Sequence, residues 1–397
     1  MLNHKFLKFP KNNKKIMQKI PFNKPYITGK EVHYIYDAFA SGKISGNGKY
    51  TQLCQSFFES KYGFTKTLLT TSCTDALEMC ALLLNIKADD EIIMPSFTFV
   101  STALAFVRQG AKIIFVDSSS KHPGIDEDQI ENLITNKTKA IVVVHYAGVA
   151  CNMDKIIDIA NRYGLYVVED AAQAIDSFFI SKDGNIKPLG SIGHLGCFSF
   201  HETKNLQCGE GGMLIINDNN FIKRAEIIWE KGTNRAEFFR GEVNKYGWID
   251  IGSSFLPSDI LAAFLYAQIE NLENIQAKRK YVWNFYYENL KELANKGYFR
   301  LPYLPEYATN NAHMFYLVCN SFKERSQLIN YLNTHSIFAV SHYQSLHKSK
   351  YYKNLYNGKE LINSDAYTDK LIRLPLFFEL CDDDLNHIVN TVHDFFK

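Results

Sequence analysis

Between residues 66 and 217 the chain alternates short apolar runs, rich in β-branched residues, with stretches of helical period. The strand-like runs are Lys66–Thr70, Glu91–Met94, Lys112–Asp117, Ala140–His145, Leu165–Asp170, Cys197–His201 and Met213–Asn217. Helical patterns fall between several of them, at Thr74–Leu84, Ser101–Gln109, Asp126–Ile134 and Met153–Tyr163. Runs such as Ile141-Val142-Val143-Val144 are apolar without alternation, the mark of strands covered on both faces. The pattern predicts an α/β domain built on a mostly parallel seven-stranded sheet. After about residue 258 the texture changes. A long helical pattern covers Ser258–Leu293, followed by Pro302 and Pro305, a strand-like Met314–Cys319, a helix at Lys323–Thr334, a strand-like Ile337–Tyr343 and a last helix at Asp383–Phe396. The expected organisation is a leader over 1–19, a large domain over 20–257, and a long connecting helix with a small α+β domain over 258–397.

Charge alters the picture only at the leader. The whole chain of 397 residues carries 44 basic and 42 acidic groups, net +2. Six of the basic groups, Lys5, Lys8, Lys11, Lys14, Lys15 and Lys19, lie in the first 19 residues, which hold no acid. The remaining 38 basic and 42 acidic groups leave the body at −4. That body offers no basic field for nucleic acid. The leader lacks the apolar run of a secretory signal and is expected to be a disordered, solvated tail, with Met17 a candidate start. The uncharged stretch from Ile92 to Val107 is 16 residues long and contains Pro95. It falls short of the roughly 20 apolar residues a membrane span needs. Eight cysteines are scattered without a C-x-x-C pair or a zinc-like cluster, so reduced thiols and a cytoplasmic location are expected, with no metal site.

Four chemical signals fall just after predicted strand ends, where open α/β sheets hold their ligands. In Thr71-Ser72-Cys73-Thr74-Asp75, hydroxyls and free N–H groups at a helix start can form an anion site. Ser72 or Thr74 could equally serve as a plain N-cap. In Pro95-Ser96-Phe97-Thr98-Phe99, an aromatic could stack on a planar ring or pack into the core. Glu169-Asp170 closes a buried strand, and a carboxylate there needs a cation or hydrogen-bond donors. A protonated ring nitrogen would serve, as would the start of the next helix. Lys204, in Ser199-Phe200-His201-Glu202-Thr203-Lys204-Asn205 ahead of Gly209-Glu210-Gly211-Gly212, is either an exposed loop lysine or a desolvated amine primed for imine formation. Together, an anion cradle, a stacking aromatic, an acid for a ring nitrogen and an imine-forming lysine are what pyridoxal 5′-phosphate requires. The competing nucleotide motifs are missing. No G-x-G-x-x-G follows a strand, and Gly42–Lys49 does not fit G-x-x-x-x-G-K-[ST].

From about Ile20 onward the chain resembles the DegT/DnrJ/EryC1/StrS family of sugar aminotransferases. The blocks that carry the likeness are Thr71–Leu77, Pro95–Thr102, Val144–Gly148, Glu169–Gln173, Ser199–Asn205 and Gly209–Gly212. The resemblance implies fold type I, the aspartate-aminotransferase-like fold, with pyridoxal 5′-phosphate as cofactor. It implies that Lys204 holds the cofactor covalently and that Asp170 pairs with its ring nitrogen. Gln173 would lie near the ring oxygen and Phe99 would stack on the ring, while Ser72, Cys73, Thr74 and Ser199 would hold the phosphate. Over Ser199–Asn205, Glu230–Arg235 and Phe238–Gly241 the chain is most similar to the branch that makes dTDP-4-amino-4,6-dideoxygalactose, of the enterobacterial common antigen type. That implies L-glutamate as donor and C4 of dTDP-4-dehydro-6-deoxy-D-glucose as acceptor. The alternatives are amination at C3 of a 3-dehydro sugar, or a PLP-fold sensor without turnover. Dehydratase relatives have His in place of the lysine, and Lys204 argues against that class. The chain departs from relatives at Cys73, at Ser345, and at Ser254 and Leu256, where many have Asn and Arg. Ser254 thus stands where the family reaches the neighbouring subunit's phosphate. Lys231, Arg235 and His347 are the candidates for the sugar-nucleotide pocket, and a homodimer is implied.

Overall fold

The computed structural model describes residues 19–397, and the predicted leader lies, except for Lys19, outside the described residues. Two helices, α1 (Glu31–Ala40) and α2 (Lys49–Tyr62), precede an alternating segment. It runs β1 (Lys66–Thr70), α3 (Cys73–Leu83), β2 (Glu91–Pro95), α4 (Val100–Val107), β3 (Lys112–Val116), α5 (Glu127–Ile130), β4 (Thr138–Val144), α6 (Met153–Tyr163) and β5 (Tyr166–Asp170). A hairpin of β6 (Phe178–Ile180) and β7 (Ile186–Pro188) leads to β8 (Leu195–Ser199) and β9 (Gly212–Ile216). Four helices follow: α7 (Ile222–Trp229), α8 (Arg235–Phe239), α9 (Asp259–Glu270) and α10 (Leu272–Asn295). The C-terminal part comprises β10 (Phe299–Arg300), β11 (Phe315–Cys319), α11 (Phe322–Thr334), β12 (Val340–Ser341), α12 (Ile362–Lys370), β13 (Leu371–Leu374) and α13 (Asp382–Phe395).

All seven predicted strands join one sheet in the order β1-β9-β8-β5-β4-β2-β3. β9 alone runs antiparallel to both of its neighbours. The unalternating runs have the expected cause. On β4, Ile141 and Val143 enter the apolar cluster on one face of the sheet, and Ala140 and Val142 enter the cluster on the other. The small sheet is antiparallel throughout, in the order β10-β11-β13-β12.

The single long helix predicted over Ser258–Leu293 is two helices. Asn271 leaves the helical conformation (φ −106°, ψ 12°) and separates them. Asn competes with the helix through its own polar side chain, which makes it a natural break point. The break lets two rods serve two cores. Ala262, Ala263, Leu265 and Ile269 of α9, with Leu272 and Ile275, belong to the core of the large sheet. Further along α10, Val282, Trp283, Tyr286, Leu290 and Leu293 build the core of the small one. The predicted strand Ile337–Tyr343 shrinks to two residues, because Ile337 pairs instead with Ile20 near the start of the described chain. The predicted run Cys197–His201 begins earlier and ends at Ser199, where the backbone turns into the loop that carries Lys204. All eight cysteines are free thiols. Among the described residues no helix is long and apolar enough to cross a membrane, and no cluster of metal-ligating side chains occurs.

Candidate active site

A cavity of about 630 Å³ opens at the carboxyl ends of β5 and β8 and is closed on its far side by residues of β12, β13 and the segment before β11. Ser72, Cys73, Thr74, Phe99, Asp170, Gln173, Ser199 and Lys204 all line it. Residues predicted from separate sequence blocks are therefore brought to one place.

The anion end is the start of α3. Ser72 is its N-cap, and its hydroxyl accepts from Asp75 N at 3.1 Å. The Thr74 hydroxyl is paired with Ser101 at 2.7 Å. The first N–H groups of a helix have no intrahelical partner, and the residues that carry them here, Cys73 and Thr74, line the cavity at the positive end of the helix dipole. Gly212 at the head of β9 permits this arrangement. A Cβ there would lie 2.3 Å from the carbonyl carbon of Ser72 and 2.4 Å from the nitrogen of Cys73. Ser199, buried, ends the adjacent strand β8.

Asp170 ends β5. Its Oδ2 accepts from the Thr102 hydroxyl at 2.7 Å and its Oδ1 from Ala172 N at 3.2 Å. Burial pushes its carboxyl above the ordinary aspartate range, opposed by the Thr102 hydrogen bond, the Ala172 N–H and the Lys204 charge. Its neighbour Glu169 turns away from the cavity. It accepts from Gly190 N at 2.8 Å, from Ile192 N and Gly193 N at 2.6 Å each, and from His145 at 2.9 Å. The two adjacent carboxylates thus divide into one that faces the cavity and one that ties down the loop before β8.

Lys204 sits in the loop after β8, half-buried, with its amine among Cys73, Asp170 and Arg373. Burial lowers its pKa below the ordinary lysine value, Cys73 and Asp170 oppose this, and Arg373 adds to the lowering. A lysine displaced in this direction holds more of its amine in the neutral, nucleophilic form. The loop is fixed through the next residue. Asn205 donates to Gln276 Oε1 at 2.8 Å and to Asn311 O at 2.9 Å, and its Oδ1 is 2.9 Å from His313 Nδ1. Gln173 accepts from Ala147 N at 2.6 Å and donates to the Tyr343 hydroxyl at 3.0 Å. Tyr343 holds a left-handed backbone (φ 48°) to present that hydroxyl, a strained conformation of the kind stored at ligand sites. Phe99 caps α4 and is 55% exposed, its ring 6.0 Å from that of Tyr343.

Four predicted residues lie elsewhere. Ser254 is exposed and pairs with Glu230 across an isolated bridge. Lys231 and Arg235 are exposed on the same surface segment, Arg235 lying 3.8 Å from Glu230 and over the Phe239 ring. His347 is buried outside the cavity lining, with Nδ1 2.8 Å from Ser96 Oγ and Nε2 3.6 Å from Asp365. Sequence reasoning missed Thr102 and the small-domain wall of His313, His342, Tyr343 and Arg373. The one available signal for Arg373 was a lone charge inside the apolar run Leu371-Ile372-Arg373-Leu374.

The set fits pyridoxal 5′-phosphate: a helix start for the phosphate, a cavity-facing buried carboxylate for the ring nitrogen, and a cavity-lining amine with no hydrogen-bond or ion-pair partner among the described residues. A lysine and a carboxylate so placed on this fold define a fold type I pyridoxal-phosphate enzyme. The chain belongs to the DegT/DnrJ/EryC1/StrS aminotransferase family, whose profile matches residues 25–393, and it is a PLP-dependent transaminase. It is 31% identical over 384 residues to uncharacterized protein MJ1066 of Methanocaldococcus jannaschii, covering 94% of this chain and 96% of that one. It is 28% identical over 387 residues to the spore coat polysaccharide biosynthesis protein SpsC of Bacillus subtilis, covering 95% and 97%. Among solved structures, the PLP form of the putative sugar aminotransferase Spr1654 of Streptococcus pneumoniae superposes with a TM-score of 0.85 at 25% identity, covering 95% of this chain and 98% of that one.

Proposed function

We propose that this transaminase moves the amino group of L-glutamate to C4 of dTDP-4-dehydro-6-deoxy-D-glucose, giving dTDP-4-amino-4,6-dideoxy-D-galactose and 2-oxoglutarate. The observation that carries the reaction class is the half-buried Lys204, without a hydrogen-bond or ion-pair partner among the described residues, in one cavity with the Asp170 carboxylate. The sugar assignment is supported by the likeness over Ser199–Asn205, Glu230–Arg235 and Phe238–Gly241. Kinship with proteins named for sugar amination and polysaccharide biosynthesis points the same way.

When bound, the cofactor supplies an electron sink for the carbon that bears the transferred nitrogen. The protein supplies the rest. The start of α3 and Ser199 would hold the phosphate, and Phe99 would stack on the ring. Asp170, whose charged form Thr102 and Ala172 favour against burial, would hold the proton on the ring nitrogen. Lys204 is tethered through Asn205 and moves a proton at the reacting carbon in both half-reactions, so ping-pong kinetics are expected. The nucleotide end falls to Lys231 and Arg235, with Ser254 at the phosphate; His347, buried against Ser96, is not placed to take part. These residues lie outside the cavity of their own chain, and a homodimer would bring those on the exposed segment to a neighbouring site. That segment also carries exposed Phe239, Tyr246, Trp248, Ile249 and Ile251, an apolar patch suited to a second copy. The free thiols accord with work in the reducing cytoplasm.

The deciding experiment incubates the purified holoenzyme with glutamate and the 4-dehydro sugar nucleotide and identifies the product by NMR. An axial amine at C4 is expected. An equatorial C4 amine or an amine at C3 refutes the galactose assignment, and no conversion of the cofactor by any amino donor supports a sensor instead.

A further inference from the structure

Residues 20–26 form a strap along the cavity that is tied to both parts of the chain. On the small-domain side, Ile20 N donates to Ser336 O at 2.8 Å and Phe338 N donates to Ile20 O at 2.9 Å. The Phe22 ring lies over the Arg373 guanidinium at 4.5 Å, and Tyr26 stacks on Phe378 with ring centres 3.8 Å apart. On the large-domain side, Tyr26 O accepts from Gln207 Nε2 at 3.1 Å and from Gln268 Nε2 at 2.9 Å. Between these anchors Phe22 and Asn23 line the cavity. Asn23 is half-buried, and its Nδ2 donates to Glu202 O at 3.2 Å. A backbone carbonyl can only accept, so this bond fixes which end of the amide is nitrogen. The other end, Oδ1, has no partner among the described residues. Glu202 stands two residues before Lys204. The strap therefore holds one fixed hydrogen-bond acceptor at the cavity, fastened to the loop that carries the reactive amine.

We propose that Asn23 reads the hydroxyl on C3 of the keto sugar, the carbon next to the one that is aminated. This rests on the reading given above, in which glutamate is the donor and C4 of the sugar the acceptor. An amide oxygen accepts and cannot donate. Glutamate has little to offer it. Its carboxylates are acceptors themselves, and an acceptor on its ammonium would favour the protonated form, which is not nucleophilic. The sugar does carry donors, the hydroxyls on C2 and C3. C4 must come to the Lys204 amine, and Asn23 is bonded to the Lys204 loop, so the hydroxyl beside C4 is the one within its reach. On the other side of C4, C5 bears the ring oxygen and the methyl group and has no donor. A sugar without the C3 hydroxyl would leave the Asn23 oxygen desolvated and unpaired, which is how a site rejects an analogue that lacks one polar group. Asn23 therefore counts in the half-reaction with the keto sugar and is idle in the half-reaction with glutamate.

The test uses holoenzyme of wild type and Asn23→Ala and follows each half-reaction separately by the absorption of the bound cofactor. The acceptors are dTDP-4-dehydro-6-deoxy-D-glucose and its 3-deoxy and 2-deoxy analogues. With the parent sugar, Asn23→Ala should lower the efficiency of conversion by about 3- to 10-fold, as expected for losing one neutral hydrogen bond. The glutamate half-reaction should stay within about twofold on the same basis, which also reports an intact fold. Removing the C3 hydroxyl should cost wild type the same factor as the substitution and cost Asn23→Ala nothing further. The 2-deoxy analogue should keep the full sensitivity to the substitution. Wild type indifferent to loss of the C3 hydroxyl, a variant that loses as much with the 3-deoxy analogue as with the parent, or equal loss in both half-reactions would each overturn the inference, the last by assigning Asn23 to holding the Lys204 loop alone. A wild-type enzyme that does not aminate the parent sugar at C4 would instead overturn the proposed reaction, and the inference with it.

Discussion

Replacing Thr102 with valine should shift the acid limb of the pH–activity profile to higher pH. The Thr102 hydroxyl donates to Asp170 Oδ2 at 2.7 Å and is itself 2.9 Å from the Thr98 hydroxyl. Burial raises the Asp170 pKa, and this hydrogen bond is the largest influence opposing it. Valine keeps the shape and removes the donor. A hydrogen bond to a charged group contributes about 1.5–3 kcal/mol, and one pH unit corresponds to about 1.4 kcal/mol. The folded carboxyl should therefore rise by roughly one to two units. The sign follows from which form works. In the proposed mechanism Asp170 must be charged to hold the ring-nitrogen proton, so activity is expected to be lost as pH falls through its pKa. A raised pKa moves that loss to higher pH. The assay is kcat/KM for the amino donor against pH, for wild type, Thr102→Val and Thr102→Ser. Serine keeps the hydroxyl and should leave the limb in place. The Thr98 hydroxyl left without its partner in the valine variant would lower the melting temperature, a readout separate from the pH limb. An unmoved limb in Thr102→Val, or an equal shift in Thr102→Ser, would refute the role given to this hydrogen bond.

Two further outcomes are expected. Lys204→Ala should lose the visible band of the covalently held cofactor and about 10²–10⁴-fold or more of turnover; in wild-type apoenzyme, covalent cofactor uptake should reach half its plateau below the ordinary lysine pKa, because burial lowers that of Lys204. Glu169→Gln should destabilise the fold by about 2–6 kcal/mol in urea denaturation, since an amide cannot accept from all four groups and two donors are left unsatisfied at about 1–3 kcal/mol each. His145 cannot relieve this, because its Nδ1 accepts from Cys151 N and its Nε2 must donate. An unchanged urea midpoint would contradict the claim that Glu169 anchors the loop before β8.

The large sheet was legible because strands buried on both faces leave unbroken apolar runs, and β2, β8 and β9 are buried at every position. The cavity-lining groups on that sheet were legible for a related reason: a polar residue just past a buried strand has few roles open to it. The break at Asn271 was not, because the helical period continues across it and one residue out of conformation leaves no trace in spacing. The link from Thr102 to Asp170 crosses 68 residues, and nothing local signals it. Arg373 was hidden differently. β13 has four residues, too few for alternation to distinguish a cavity-facing charge from an edge residue. Lys231, Arg235 and Ser254 were read from likeness alone, and on the folded chain they share a surface segment rather than a cavity.

The tether at Asn205 has a consequence for how such enzymes can be recombined. The residue beside the reactive amine is held by Gln276 on α10 and by Asn311 and His313 on the approach to β11. A fragment ending at residue 257 would keep all seven strands of the large sheet and lose every one of these holds. The Lys204 amine therefore belongs to neither half of the chain. Exchanging the C-terminal part between relatives would also exchange the holds that aim the lysine.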